Sequence, residues 1–361
     1  MAEKVFMKGC EAVAEAAVRA GCRFFAGYPI TPQNDVPEYF ARRMPQVGGV
    51  FIQGESEVAS ANMAYGAAAA GVRSMTSSSS CGISLKSEAI SFMAGASLPV
   101  VIANFQRGGP GIGSIQPAQQ DYNQATKASG NGGFRMLVLA PSSLQEAVDL
   151  TWRAFDLADK YRHPVLLLLD GFTGTMMEPV RLPEPMTEEA VQAIRASKSW
   201  AAVGKKGGPQ HKIICGPGLD SRIKQEDLNR RDAKMYEQWK TSEAEWEAYM
   251  TEDAEMIITA YGISARIAKS AVGVLRKEGY KVGLIRPVKV YPFPGQAYEV
   301  LDFGKLRGVL CAEMAIPAQF TEDVKNVIRG RAKIGTALSS GGEILDRDTI
   351  ITAARELYGE R

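Results

Sequence analysis

The sequence is poor in the residues that most often do redox and hydrolytic chemistry. Its five cysteines, Cys10, Cys22, Cys81, Cys215 and Cys311, stand far apart, with no CxxC or similar spacing. An iron–sulfur cluster held by this chain alone would lack its clustered thiolates, and a disulfide framework does not suit a chain of 361 residues. No metal site is expected on it. The two histidines, His163 before one apolar run and His211 before another, read as ordinary surface or loop residues. A Ser–His–Asp hydrolase is correspondingly poorly supported. Charge of one sign is also missing: 42 basic and 40 acidic residues leave +2, with no basic cluster to bind nucleic acid. The longest apolar run in the candidate core strands, Val165–Leu169, is far short of a membrane span. Glu3, Lys4, Lys8, Glu11 and Glu15 interrupt any secretory apolar region, so a cytoplasmic location is the expectation.

What is present is a chain with enough apolar content, 45%, for sizeable cores. Short apolar runs at Cys22–Ala26, Val50–Gln53, Ser74–Ser77, Pro99–Phe105, Met136–Ala140 and Val165–Asp170 alternate with helical stretches such as Lys8–Ala20 and Glu57–Ala70. That alternation predicts crossover connections and a parallel sheet in an α/β domain over residues 1–182. Ser143 followed by Glu146 reads as a capping-box helix start. Residues 183–254 change character: a Pro- and Gly-rich connection leads to a charged stretch from Asp220 to Met250. There Leu228, Met235, Trp239, Trp246 and Met250 are spaced as on one helical stripe, either packed on its own chain or gripping a partner. A second, smaller α/β pattern fills residues 255–361, with strands at Met256–Ala260, Lys281–Ile285 and Val309–Ala312 and a helix at Ile263–Arg276.

Ligands on parallel sheets collect beyond the carboxyl ends of the strands. Four segments stand there: YPITP, the glutamates Glu55 and Glu57, the run Ser77–Ser80, and QRGGP. A helix starting near Glu57 puts Glu57, Ala61, Ala64 and Ala68 on one face, a carboxylate followed by small residues. From periodicity alone this is also an acidic first turn on a helix that packs its alanines against a sheet. The loop Gly108–Gly113 lacks the third glycine of a dinucleotide fingerprint and reads as a tight turn.

Glu57 stands nine residues before Gly66–Ala67, and this resembles the pyrimidine-domain helix of thiamine-diphosphate enzymes. GYPITPQNDVPEYF, MTSSSSCGISLKSEAISFMAGASLPVV, QRGGPGIGSIQPAQQDY, AYGISARIA and LIRPVKVYPFP together resemble the alpha-type chain of 2-oxo acid:ferredoxin oxidoreductases. The branched-chain (2-oxoisovalerate) type is the nearest match, with the 2-oxoglutarate type close behind. The resemblance implies a pyrimidine-binding domain with a parallel sheet, followed by a smaller domain like the C-terminal domain of transketolase. It implies that Glu57 hydrogen-bonds the aminopyrimidine ring and that Thr31 sits over the thiazolium and meets the substrate carbonyl. It also implies that Arg107 meets the substrate carboxylate, a task that suits a planar guanidinium. Pro29, Ile30, Ser79 and Ser80 are expected to line the cofactor pocket.

The diphosphate half of such a site needs a Gly-Asp-Gly triplet, and this sequence has none. The resemblance therefore implies a site shared with a diphosphate-binding beta subunit that holds Mg2+. Iron–sulfur clusters would sit on a ferredoxin-like subunit or domain, with ferredoxin as acceptor and coenzyme A as substrate. The segment Glu313–Gln319 departs from the family's Glu, Asn and Gly-Gln pattern. The expected activity is oxidative decarboxylation of a 2-oxo acid to acyl-CoA, CO2 and reduced ferredoxin. Alternatives are a 2-oxoglutarate-type subunit, half of a non-oxidative decarboxylase, or a scaffold that has lost the chemistry.

Overall fold

The structure is a computed structural model that describes residues 4–205, 212, 214–216 and 224–359. His211 and the start of the charged stretch at Asp220 lie outside the described residues. The first sheet runs, in spatial order, Leu137–Leu139, Val165–Asp170, Val100–Gly108, Ser74–Ser78, Phe24–Gly27 and Val50–Gln53, all parallel. Helices cover both faces, which is why central strands such as Val165–Asp170 are buried at every position and apolar without alternation. The expected strands are found within a few residues. The first begins at Phe24 because Cys22 is still turning, its N–H donating to the Ala17 carbonyl at 3.0 Å. The strand from Val100 runs on to Gly108, carrying Arg107 with it.

The second sheet has the order Trp246–Tyr249, Val282–Pro287, Met256–Thr259, Gly308–Glu313 and Ile334–Leu338, parallel except for its first strand. A strand from this half, Lys289–Tyr291, crosses back and pairs antiparallel with Leu137–Leu139 of the first sheet. Gln119 also ties the halves together. Its side chain donates to the Tyr261 carbonyl at 2.9 Å and accepts from Ser264 Oγ at 2.6 Å. Asp170 sits in the same junction, where burial pushes its carboxyl up to about 6 despite hydrogen bonds from Thr173, Ile263 and Phe172. Glu313, fully buried, accepts from the backbone N–H groups of Gln319, Phe320 and Thr321 and so caps the helix Phe320–Ile328. That gives the divergent segment Glu313–Gln319 a structural task.

The charged stretch folds differently from its periodicity. The helix Gln225–Ser242 packs on its own chain, burying Leu228, Asp232, Tyr236 and Trp239. It stops at Ser242, so Trp246 and Met250 do not extend the stripe; Trp246–Tyr249 is instead the edge strand of the second sheet. Glu243 marks the turn. Burial pushes its carboxyl up, but hydrogen bonds from Lys160, Lys289 and Tyr161 overcome this and hold it at about 2. The same helix covers His163, which is therefore a buried residue rather than a surface one. Its Nε2 lies 2.7 Å from the Arg135 carbonyl, and burial lowers its pKa to about 4. Ser143 caps its helix as expected, but Glu146 reaches one residue further back, accepting from Ser142 N at 2.7 Å. An antiparallel pair between Lys4–Lys8 and Met177–Arg181 was not anticipated.

Candidate functional site

The helix Glu57–Ala69 starts where Ser56 Oγ accepts from Ala59 N at 3.1 Å, which puts Glu57 in the first turn. Glu57, Ala61, Ala64 and Ala68 are all buried, on the face expected from their spacing, whereas Glu55 is exposed. Glu57 is only 6% exposed, yet among the described residues its carboxylate accepts no hydrogen bond and forms no ion pair. Its Oε1 lies against Gly82, where an added Cβ would come within 2.8 Å of it. The same Cβ would fall 2.0 Å from Ser78 Oγ, a buried hydroxyl without a partner among the described residues. A carboxylate on a largely buried residue that no described donor meets, its oxygens still reachable, is open to a donor from a ligand.

Gly82 belongs to the N-terminal turn of the helix Cys81–Gly95, and its neighbour Cys81 brings in Arg107. Arg107 Nη2 lies 3.1 Å from Cys81 Sγ and donates to the Ile112 carbonyl at 3.1 Å, while Nη1 donates to the Thr31 carbonyl at 2.9 Å. Its Nε is buried without a partner among the described residues, and Arg107, 5% exposed as a residue, forms no ion pair with a described carboxylate. One helix end thus joins an unpaired acid, an unpaired base and Thr31. The Gly-rich loop folds over this arginine: Gly111 and Gly113 take positive φ of 68° and 51° and turn the chain into the strand Ser114–Pro117.

Ser80 holds the helix end in place at a strained φ of 35°, of a kind that costs ~1–3 kcal/mol. Its N–H donates to Asn104 Oδ1 at 3.0 Å, and its hydroxyl donates to Asp121 Oδ2 at 2.6 Å while accepting from Arg107 N at 2.9 Å. Burial raises the Asp121 pKa, opposed by the hydrogen bonds from Ser80 and Asn104. Ser79 Oγ donates to the Phe105 carbonyl at 2.6 Å. The hydroxyls of Ser79 and Ser80 are thus committed to holding the loop, and Ser78 is the serine left with a free one. Pro29 and Ile30 lie on the loop after Phe24–Gly27, where Gln33 N donates to the Ile30 carbonyl at 3.0 Å. Pro29 and Thr31 are exposed there.

Sequence reasoning missed Lys86. Its side chain is fully buried; Nζ donates to Thr76 Oγ1 at 2.9 Å and to the main-chain carbonyl of Glu57 at 3.3 Å. Burial lowers its pKa to about 7 against the opposing pull of the Glu57 charge. A signal was available: Ile83, Lys86, Ile90 and Met93 follow helical spacing on the buried face, so one position of an apolar stripe is a lysine.

The family model for pyruvate flavodoxin/ferredoxin oxidoreductase, thiamine-diphosphate-binding, matches residues 15–248. The model for core domain II of pyruvate:ferredoxin oxidoreductase matches residues 254–350. Ketoisovalerate oxidoreductase subunit VorB of Methanothermobacter marburgensis is 44% identical over 98% of both chains. 2-Oxoglutarate synthase subunit KorA of Methanocaldococcus jannaschii is 35% identical over 94% of this chain and 96% of its own. Among solved structures, the 2-oxoglutarate:ferredoxin oxidoreductase of Magnetococcus marinus, with 2-oxoglutarate, coenzyme A and succinyl-CoA bound, aligns with a TM-score of 0.81 at 24% identity. The alignment covers 99% of this chain and 66% of that longer one, and shows the shared fold. With both halves matched in order and the relatives aligned end to end, the chain belongs to the thiamine-diphosphate-dependent pyruvate flavodoxin/ferredoxin (2-oxo acid) oxidoreductase family.

Proposed function

We propose that this chain supplies the pyrimidine half of a shared thiamine-diphosphate site that oxidatively decarboxylates a branched-chain 2-oxo acid. The products are acyl-CoA, CO2 and two electrons passed to ferredoxin. The observation that carries the reading is the convergence of the unpaired Glu57 carboxylate and the unpaired Arg107 guanidinium on one helix end. The site fits the cofactor's ring: Gly82 leaves room beside Glu57 Oε1, and Ser78 offers a hydroxyl without another partner among the described residues. When bound, the cofactor supplies the carbanion and electron-sink chemistry. Glu57 holds a proton at the ring nitrogen, Arg107 orients the substrate carboxylate, and Thr31 stands beside Arg107 to meet the carbonyl. Ser80, Asn104 and Asp121 fix Arg107 from behind, and Pro29, Ile30 and Ser79 shape the loops around the pocket.

The diphosphate, its Mg2+ and the iron–sulfur clusters are assigned to partner chains, a beta subunit and a ferredoxin-like subunit. The reason is that this sequence carries neither a Gly-Asp-Gly triplet nor clustered cysteines. The pyrimidine domain is assigned to residues 1–182, the connection to 183–254 and the second domain to 255–361. No described helix is long and apolar enough to cross a membrane. We place the protein in the cytoplasm, where ferredoxin and coenzyme A meet. The branched-chain preference follows the relative with the higher identity, named for ketoisovalerate. Steady-state rates of the complex on 3-methyl-2-oxobutanoate and on 2-oxoglutarate test it. A higher kcat/KM on the first supports the reading, and a higher value on the second replaces it with the 2-oxoglutarate type. CO2 release without CoA-dependent reduction of ferredoxin would instead indicate a non-oxidative decarboxylase.

A further inference from the structure

A buried lysine is costly, and Lys86 has no carboxylate hydrogen-bonded to it to offset that cost. A leucine or methionine would continue the stripe of Ile83, Ile90 and Met93 without the penalty. The amine's two acceptors are informative. Thr76 Oγ1 already donates to the Ala26 carbonyl at 2.7 Å, so it presents its lone pairs to Lys86. The other acceptor is the carbonyl of Glu57 itself. Two acceptors match the two N–H donors of a neutral amine and leave one donor of an ammonium over. The surroundings therefore suit the neutral form, while the nearby Glu57 charge favours the cation.

We propose that Lys86 is a positioning residue for Glu57, pinning the first turn of its helix and giving up a proton as the Glu57 carboxylate comes to share one with the cofactor's ring. This rests on the reading of Glu57 as the residue that meets the aminopyrimidine. The step balances: one N–H bond breaks at Lys86 Nζ, one proton is gained by the Glu57–ring pair, and no electrons move. The reason for the release is electrostatic. A proton added between Glu57 and the ring removes the negative charge that had favoured the ammonium. Glu57 is the charged group whose field reaches Lys86. Thr76, from the neighbouring strand, does not titrate, Glu88 on the same helix is exposed, and Arg107 and Asp121 act on each other.

The test is calorimetric titration of thiamine diphosphate into the cofactor-free complex of this chain with its partner, in buffers of different ionisation enthalpy. It gives the protons taken up per cofactor bound. In the wild type the uptake should rise with pH through the region around 7, where Lys86 stops supplying the proton. Lys86→Met removes both the amine and its hydrogen bonds. Lys86→Gln keeps N–H donors for Thr76 and the Glu57 carbonyl but cannot titrate. Both variants should show a flat uptake over that range. A wild-type pH course in either folded variant overturns the proposal, even if that variant melts at a lower temperature. Glu57→Gln separates the two readings. Weakened cofactor binding in E57Q with an unchanged pH course in the Lys86 variants refutes the Lys86 role alone. Undiminished binding in E57Q refutes the cofactor reading beneath it.

Discussion

Replacing Arg107 with methionine keeps an unbranched apolar stem and removes the charge and donors. Two consequences follow from its surroundings, and their sizes differ. The carbonyls of Thr31 and Ile112 lose their guanidinium donors, but both residues are exposed and water can replace the donor, so the cost to stability is under about 1 kcal/mol. A substrate carboxylate held by Arg107 has no such replacement, because water does not supply the guanidinium's charge. With Nη2 committed to Cys81 and Ile112 and one Nη1 N–H to Thr31, one Nη1 donor remains for the substrate, and a hydrogen bond to a charged group contributes about 1.5–3 kcal/mol. At about 1.4 kcal/mol per tenfold, kcat/KM for the 2-oxo acid should fall roughly 10- to 10²-fold. Thiamine-diphosphate occupancy and the melting temperature should stay near wild type. Arg107→Lys keeps the charge but offers a point contact rather than a planar fork, so it should fall between the two. The assay is steady-state kinetics of the reconstituted complex, with bound cofactor quantified by mass spectrometry. An R107M complex with full cofactor and kcat/KM within about threefold of wild type would show that the substrate carboxylate is held elsewhere.

Other expectations come from single contacts. Gly82→Ala places a methyl 2.8 Å from Glu57 Oε1; Ser78 can rotate its hydroxyl away, but Glu57 must shift, so cofactor affinity should fall about tenfold by calorimetry. Trp239→Ala empties a fully buried site between Tyr161 and His163 and should cost about 3–5 kcal/mol in urea unfolding without changing cofactor affinity. His163 has a depressed pKa of about 4, so the stability it contributes is present above its unfolded value and lost as pH falls towards 4. His163→Gln should accordingly flatten the acid side of the stability–pH curve between about pH 6.5 and 4, read by thermal melts.

Much of the fold can be read from local patterns, and the parts that cannot have physical reasons. Parallel strands buried on both faces leave continuous apolar runs, so Val165–Asp170 is plain in the sequence. The pairing of Lys4–Lys8 with Met177–Arg181 joins segments far apart in the chain and has no local signature. The apolar spacing through Trp246 continues past the helix end because it carries on into an edge strand, where Trp246 is exposed, while Glu243 just beyond Ser242 is held by Lys160 and Lys289, which are distant in sequence. His163 is flanked by Arg162 and Pro164 and reads as a loop residue, since Tyr236 on the helix that buries it lies 73 residues away in the chain. The roles proposed for Glu57, Thr31 and Arg107 come from family resemblance rather than composition. Gly82 and Cys81 join them only in three dimensions. Among the serines after the third strand, which hydroxyl remains free depends on carbonyl and carboxylate partners on other strands and loops.

On the function proposed above, the Glu57 carboxylate, which no described donor meets, is there to hold the cofactor's ring. The most direct test of this role is calorimetric titration of thiamine diphosphate into cofactor-free complexes carrying wild-type chain or Glu57→Gln, with turnover measured on the same samples. The isosteric amide should weaken binding at least about tenfold and abolish turnover, since it can neither hold nor pass a proton at the ring nitrogen. Binding and turnover equal to wild type would contradict that role.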